Sequence, residues 1–133
     1  MSHAMPALVR LYHARLGSVT DADTARLIIN CGFGVEIAGP DGKGIRCRFA
    51  YVNAPESGTE AGAVAVAYTR QWFAAGDAGA KGVYPYLIAS HLIDPYGRPI
   101  VTIWNRATGA CVNDDLLTSA NAVPWPAPKG AMW

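Results

Sequence analysis

Apolar and polar residues alternate over several short stretches, and Gly or Pro closes most of them. A period of two with such punctuation predicts short strands rather than long helices. The first stretch is residues 8–19, rich in aromatic and branched side chains and interrupted at Gly17-Ser18. Asp21-Ala22-Asp23 predicts a turn, and residues 24–31 a second strand. Residues 35–38 extend or follow that strand, and Gly39-Pro40-Asp41-Gly42-Lys43-Gly44 reads as a turn or hairpin tip. Residues 45–52 predict a third strand. Its alternation puts Arg46 and Arg48 on one face and Cys47, Phe49 and Tyr51 on the other.

The period then changes. Thr59 suits a helix N-cap, Glu60 suits the first turn, and Gly76 suits the end. Val64, Tyr68 and Trp72 recur at four-residue spacing and predict a buried stripe, with Ala61 and Ala65 beside it. Residues 83–92 and 100–105 predict two more strands around the turn Asp94-Pro95-Tyr96-Gly97. After a turn at Ala107-Thr108-Gly109-Ala110, Asn113 or Asp114 is placed to cap a short helix through Leu116 and Leu117. Three strands, a helix and two strands is the order of an OB-fold. The expected class is therefore mainly β with helices (α+β). The expected form is a five-stranded OB-fold barrel with a helix between strands three and four and a short C-terminal helix. One domain over residues 1–125 and a Pro-rich tail over 126–133 are expected.

Length and composition agree with this picture. The 133 residues suffice for one core, and 51% hydrophobic against 16% charged residues excludes a disordered chain. No apolar run approaches the roughly 20 residues of a membrane span, so no membrane partner is expected. Residues 1–10 lack the pattern of a secretory signal, so a cytoplasmic location is expected, and the chain is read as a monomer. A formal charge of +1 supplies no global basic field, so an anion site must be built locally. The three cysteines, Cys31, Cys47 and Cys111, are odd in number and form no C-x-x-C, which favours small buried hydrophobes over a disulfide or zinc site.

Four segments carry candidate chemistry. Asp21 and Asp23 on one turn could ligate a hard cation such as Ca²⁺, or could simply cap the turn. In Val52-Asn53-Ala54-Pro55-Glu56, Pro55 ends the strand and Glu56 is placed either as a general base or as a solvated loop residue. Arg48, on a strand beside a second arginine, reads as part of a solvated face or as a phosphate ligand. Arg98 follows a stiff Pro/Gly turn, and its planar fork fits phosphate oxygens. Cation ligands, a carboxylate and two guanidiniums together suit attack of water on a phosphodiester.

These segments, in this order, resemble the staphylococcal (thermonuclease) nuclease family. They are Asp-x-Asp-Thr, Arg-x-x-x-Val-Asn-Ala-Pro-Glu, a helix opening Glu-Ala, Asp-x-Tyr-Gly-Arg and Val-Asn-x-x-Leu-Leu. The resemblance runs from about Leu16 to Trp125. It implies a Ca²⁺-dependent nuclease that cleaves DNA or RNA at the 5′ oxygen and leaves 3′-phosphate ends. It implies Asp23, Asn53 and the Ala54 carbonyl as calcium ligands, with Asp21 outside them. It further implies Glu56 as general base, Arg48 and Arg98 on the phosphate, and Tyr96 beside a terminal phosphate. Trp125 stands near the place of a tyrosine that packs against the nucleotide. Several features depart from the family. Asn53 replaces an aspartate and removes one ligand charge. Only Ser57-Gly58 joins Glu56 to the helix cap, and the chain ends in prolines where the family has a long helix. The near-neutral charge predicts weak non-specific affinity for DNA. The alternative kept open is a non-catalytic OB-fold module that binds single-stranded nucleic acid or a protein partner.

Overall fold

The computed structural model describes residues 10–125; the tail at 126–133 and the first residues of the expected opening strand lie outside them. In chain order the elements are β1 (Leu11–Asp21), β2 (Thr24–Asn30), β3 (Glu36–Ile37), β4 (Ile45–Phe49), β5 (Val52–Asn53), α1 (Glu60–Ala78), β6 (Tyr86–Ile93), β7 (Pro99–Asn105), α2 (Val112–Thr118) and β8 (Val123–Pro124). The main sheet runs β1-β6-β7-β4-β2, and a β1–β2 pairing closes it into a barrel. Only β4 and β7 run parallel. This is the OB-fold-like barrel the element order predicts, with α1 between the third and fourth barrel strands. The short β3 adds an edge to β2, and β5 pairs with β8 outside the barrel.

Closing a barrel with so few strands requires β1 to bend, because it must pair with β6 along its first half and with β2 along its length. The bend falls at Gly17, where the β1–β2 register shifts between Leu16 and Ser18. A Cβ on Gly17 would lie 2.1 Å from the Lys43 carbonyl oxygen, so the loop before β4 crosses directly over this point. The interruption predicted at Gly17-Ser18 is therefore the barrel's corner.

Alternating residues of the strands fill the interior: Ala25, Leu27 and Ile29 of β2, Cys47 and Phe49 of β4, Ile88 of β6, and Val101 and Ile103 of β7. Helix α1 covers one end. Phe73 stands edge-on to Tyr86 at 5.0 Å between ring centroids, and 6.4 Å from Phe49. Because the Tyr86 ring is buried, its hydroxyl needs partners. It donates toward the Phe73 carbonyl and Asp77 Oδ1, each at 2.7 Å. Burial, then the Asp77 carboxylate, pushes that phenol far above its ordinary pKa.

Several local expectations are corrected. The buried stripe of α1 is Gly62, Ala65, Thr69, Phe73 and Gly76, whereas Val64 is 59% exposed and Tyr68 and Trp72 flank the core. Thr59 does cap the helix, its side chain accepting from Gly62 N, but the helix runs on to Ala78 with Gly79 at its end. Gly76 is needed elsewhere: a Cβ there would sit 2.7 Å from the Tyr86 hydroxyl. Strand β4 stops at Phe49. Tyr51 leaves its face by adopting φ +64°, which redirects the chain into β5. Asn113 and Asp114 do not cap α2. Cys111 holds that position without a side-chain capping bond, and Asn113 is buried inside the helix. All three cysteines are free, and burial pushes the Cys47 thiol up to about 12.

The phase of α1 can be checked by urea unfolding. Phe73→Ala is expected to cost about 3–5 kcal/mol, as for other buried aromatic truncations. Val64→Ala should change stability by about 0.5 kcal/mol at most. The reverse ranking would restore the stripe predicted from spacing.

Candidate functional site

Asp23 sits in the tight turn between β1 and β2 and ties the start of β2 to the end of β4 and the loop after β5. Its backbone carbonyl accepts the Phe49 N–H at 2.8 Å and Arg48 Nη1 at 3.4 Å. Its carboxylate accepts the Ala54 N–H at 2.9 Å, and Oδ2 lies 3.3 Å from Arg48 Nη2. The Thr24 hydroxyl donates to Oδ1 at 3.2 Å. The start of β2, the end of β4 and the loop after β5 are thus fastened to one side chain.

Arg48 projects from β4 into this knot. Nη2 also donates to Asn53 Oδ1 at 3.2 Å, and Nη1 to the Phe49 carbonyl at 3.1 Å. The Arg48 side chain is 15% exposed and the Asp23 side chain 13%, so the solvated-face reading of Arg48 is corrected. Burial lowers the pKa of Arg48, and repulsion from Arg98 adds to that. Asp23, Asp94 and Asp21 pull the other way. The two arginines and three aspartates share one electrostatic neighbourhood although they come from two strands and two turns.

Arg98 enters from the β6–β7 turn. That turn is built on Asp94, whose Oδ1 accepts the backbone N–H groups of Tyr96 and Arg98, each at 2.9 Å. Asp94 Oδ2 accepts Arg98 Nε at 2.6 Å. Engaging Arg98 through Nε fixes the direction of the guanidinium, and among the described residues its terminal nitrogens make no hydrogen bond. The Arg98 Cζ lies 5.4 Å from the Tyr96 ring centroid, within cation–π range. Burial alone would raise the Asp94 carboxyl, but the hydrogen bonds from Arg98 and Tyr96 and the Arg98 charge bring it below the usual value.

Between these groups lies an open cleft of about 400 Å³. Arg48, Asn53 and Arg98 supply its polar wall, and Tyr51, Tyr96 and Trp125 its aromatic one. The three aromatics are 51%, 84% and 49% exposed, so none is used in the core. Trp125 is positioned by its backbone N–H, which donates to the Tyr51 carbonyl at 2.9 Å.

The candidate residues therefore divide. Asn53, Arg48, Arg98, Tyr96 and Trp125 line one cleft, and Asp23 is joined to it through Arg48. Ala54 is held there by its N–H, and Asp21, the last residue of β1, contributes charge to the neighbourhood of Arg48. Glu56 is not among the residues lining the cleft. Its side chain is exposed, and its backbone carbonyl accepts the Thr59 N–H at 3.1 Å and the Thr59 hydroxyl at 2.7 Å, just before α1. Helix α1 presses on that carbonyl so closely that a Cβ on Gly62 would lie 1.9 Å from it. Asp94 is a cleft residue that the sequence reading misses, although its i,i+4 spacing to Arg98 is a usable signal. Tyr51, which could stack on bases as Tyr96 and Trp125 could, lies on the cleft and not on the core face that strand alternation predicts.

The oxygen donors here are hard, as calcium requires: the Asp23 carboxylate and the Asn53 amide oxygen, both within reach of the same nitrogen of Arg48. Among the described residues no three His, Cys, Asp or Glu side chains gather as metal ligands, so the donor set carries little charge. No protein-family model matches the chain, and no curated protein matches it.

Asp94→Asn removes the ion pair to Arg98 but keeps an acceptor oxygen for the turn. Because the Asp94 pKa is depressed by folding, its contribution is present above the unfolded value of about 4 and fades as pH falls through the lower folded value. The variant is expected to be less stable by about 1–3 kcal/mol at pH 7. Denaturant melts along a pH series should show that gap closing in acid. A gap independent of pH would remove the charge from the account.

Proposed function

We propose that this chain is a metal-dependent phosphodiesterase acting on DNA or RNA, with calcium as its cation. The observation that carries the reading is the meeting of Arg48, Arg98 and the Asn53 oxygen at one open cleft, with the Asp23 carboxylate joined to it through Arg48, from segments whose order and spacing resemble the staphylococcal nuclease family. Each guanidinium has a structural partner, Asp23 or Asp94, and their convergence on one open cleft in spite of mutual repulsion suits an anionic ligand.

The donor chemistry fits calcium. Asp23, Asn53 and the Ala54 carbonyl would hold it, and the neutral amide of Asn53 makes weak affinity the expectation. When bound, the ion would supply positive charge against the diester. The chain's own groups do the rest. Arg98 offers its terminal nitrogens to two non-bridging phosphate oxygens. Arg48 adds a second positive charge, and stabilises the charge that develops as water adds to phosphorus. The resemblance makes Glu56, two residues beyond Ala54, the acceptor of the attacking water's proton, which requires its exposed side chain to turn into the cleft that it does not line here. The bond from phosphorus to the 5′ oxygen breaks, that oxygen takes a proton from solvent, and the phosphate stays on the 3′ side. Tyr96, lying against Arg98, contacts the terminal phosphate, and Trp125 packs beside the nucleotide.

A second reading, a binding module that does not cut, is favoured by the hydrogen bonds that Arg48 already makes to both metal-ligand candidates. Gel assays on single-stranded DNA, duplex DNA and RNA, with calcium or with EGTA, separate the two. Calcium-dependent cutting is expected, with Glu56→Gln slower by about 10²–10⁴-fold, the range for loss of a general base. Asn53→Asp should lower the calcium concentration needed for half-maximal rate. Folded protein that binds the strands and leaves them whole at millimolar calcium would establish the binding module instead.

A further inference from the structure

Tyr51 combines features that folding does not explain. It has φ +64°, a region that costs a bulky residue of order 1–3 kcal/mol. Strain of that kind persists when burial or a ligand compensates for it. Burial does not, since Tyr51 is 51% exposed. The turn itself asks only for a backbone that Gly or Asn would adopt more readily. The ring stands on the rim of the cleft that holds Arg48 and Arg98. On one side it rests against His91, with ring centroids 6.2 Å apart and planes tilted by 59°. His91 is in turn fixed by a 2.8 Å hydrogen bond between Nε2 and the Thr102 hydroxyl. The Tyr51 carbonyl holds the Trp125 N–H, so the two exposed rings are placed by one backbone link.

We propose that Tyr51, supported by His91, is a stacking platform for an unpaired nucleobase, next to the phosphate-binding arginines. The class of ligand is single-stranded nucleic acid. A base within a duplex has both faces covered by its neighbours, whereas an unpaired base can leave the stack and lie on an aromatic ring. The His91 imidazole is half-buried, and burial lowers its pKa, so it supports the ring as a neutral group near pH 7. The inference rests on the nucleic-acid reading above and adds to it the residue that would select single strands.

The test uses Tyr51→Gly, because glycine takes φ +64° without strain and leaves the Trp125 backbone bond intact. Its thermal midpoint should equal or exceed that of the parent. If that variant fails to fold, Tyr51→Asn replaces it, since asparagine also tolerates the left-handed region. Binding of a labelled hexathymidylate and of an abasic hexamer with the same phosphates is followed by fluorescence anisotropy. One arm uses calcium on the Glu56→Gln background, and the other uses EGTA on the otherwise unaltered chain. The parent should bind the thymidylate more tightly than the abasic strand by about tenfold, in the range of one stacked base, and Tyr51→Gly should erase that preference while leaving abasic binding unchanged. If the parent prefers the thymidylate and Tyr51→Gly keeps the preference, the platform is overturned and the nucleic-acid reading stands. If the parent binds neither strand in either arm, the nucleic-acid reading falls, and the platform with it.

Discussion

Strand β4 pairs with β7 only at Arg48–Ile100 and Phe49–Val101 and then leaves the sheet, so the edge of β7 beyond that point is completed by a side chain. Asn113 of α2 is buried against it. Its Oδ1 accepts the Ile103 N–H at 3.1 Å, and its Nδ2 donates to the carbonyls of Val101 and Ala50 at 3.1 and 3.0 Å. One amide thus bonds three backbone groups on two segments inside the core, where an unmet hydrogen bond costs more than a met one contributes, and the Val101 carbonyl also accepts the Ala50 N–H at 2.8 Å. No buried side-chain polar atom is left without a partner among the described residues. The C-terminal helix is therefore part of the barrel's hydrogen bonding as well as its packing, and it fixes where β4 ends.

The cleft follows from that ending. Because β4 is released at Phe49, the chain can turn at Tyr51 and run back as β5, which carries Asn53 and Ala54 to the carboxylate of Asp23. The same turn lifts the Tyr51 ring out of the core and onto the rim, and its carbonyl captures Trp125. Arg48, the next-to-last residue of the strand, is left with its guanidinium in the gap. A largely desolvated cation is tolerated there because Asp23 faces it and backbone carbonyls accept its other protons.

The two arginines are held in opposite ways, and this bears on what the cleft does. Arg48 is committed through Nη2 to both side chains that would ligate calcium and through Nη1 to two backbone carbonyls, so a phosphate or a cation entering there must exchange the Nη2 contacts. Arg98 is anchored at Nε by Asp94 and turns its free end outward. In the proposed reaction Arg98 is the preorganised phosphate ligand, and Arg48 is the group whose partners change as the site fills.

What could be read along the chain was whatever short-range chemistry dictates. The Asp94-Pro95-Tyr96-Gly97 turn, the Thr59 cap, the break at Gly17 and the strand order follow from φ preferences, capping and period-two alternation, all of which act within a few residues. The same holds for Asp23, Arg48 and Arg98 as candidates, since residue type and spacing show their chemistry. Other features depend on contacts between distant segments. The N-terminal half of α1 is ringed by small apolar residues, from Ala61 to Ala67, so its own pattern does not choose a face. Packing against Phe49, Ala22 and Tyr86 chooses Ala65, Thr69 and Phe73. Asn113 looks like a cap until β7 is beside it, and Tyr51 continues an apolar alternation until β4 is seen to stop before it. The separation of Glu56 from the cleft, and the gathering of Arg48, Asn53, Tyr96, Arg98 and Trp125 around it, arise from barrel closure. Closure brings together groups that no local rule relates, because its energy comes from burying apolar surface across the whole chain.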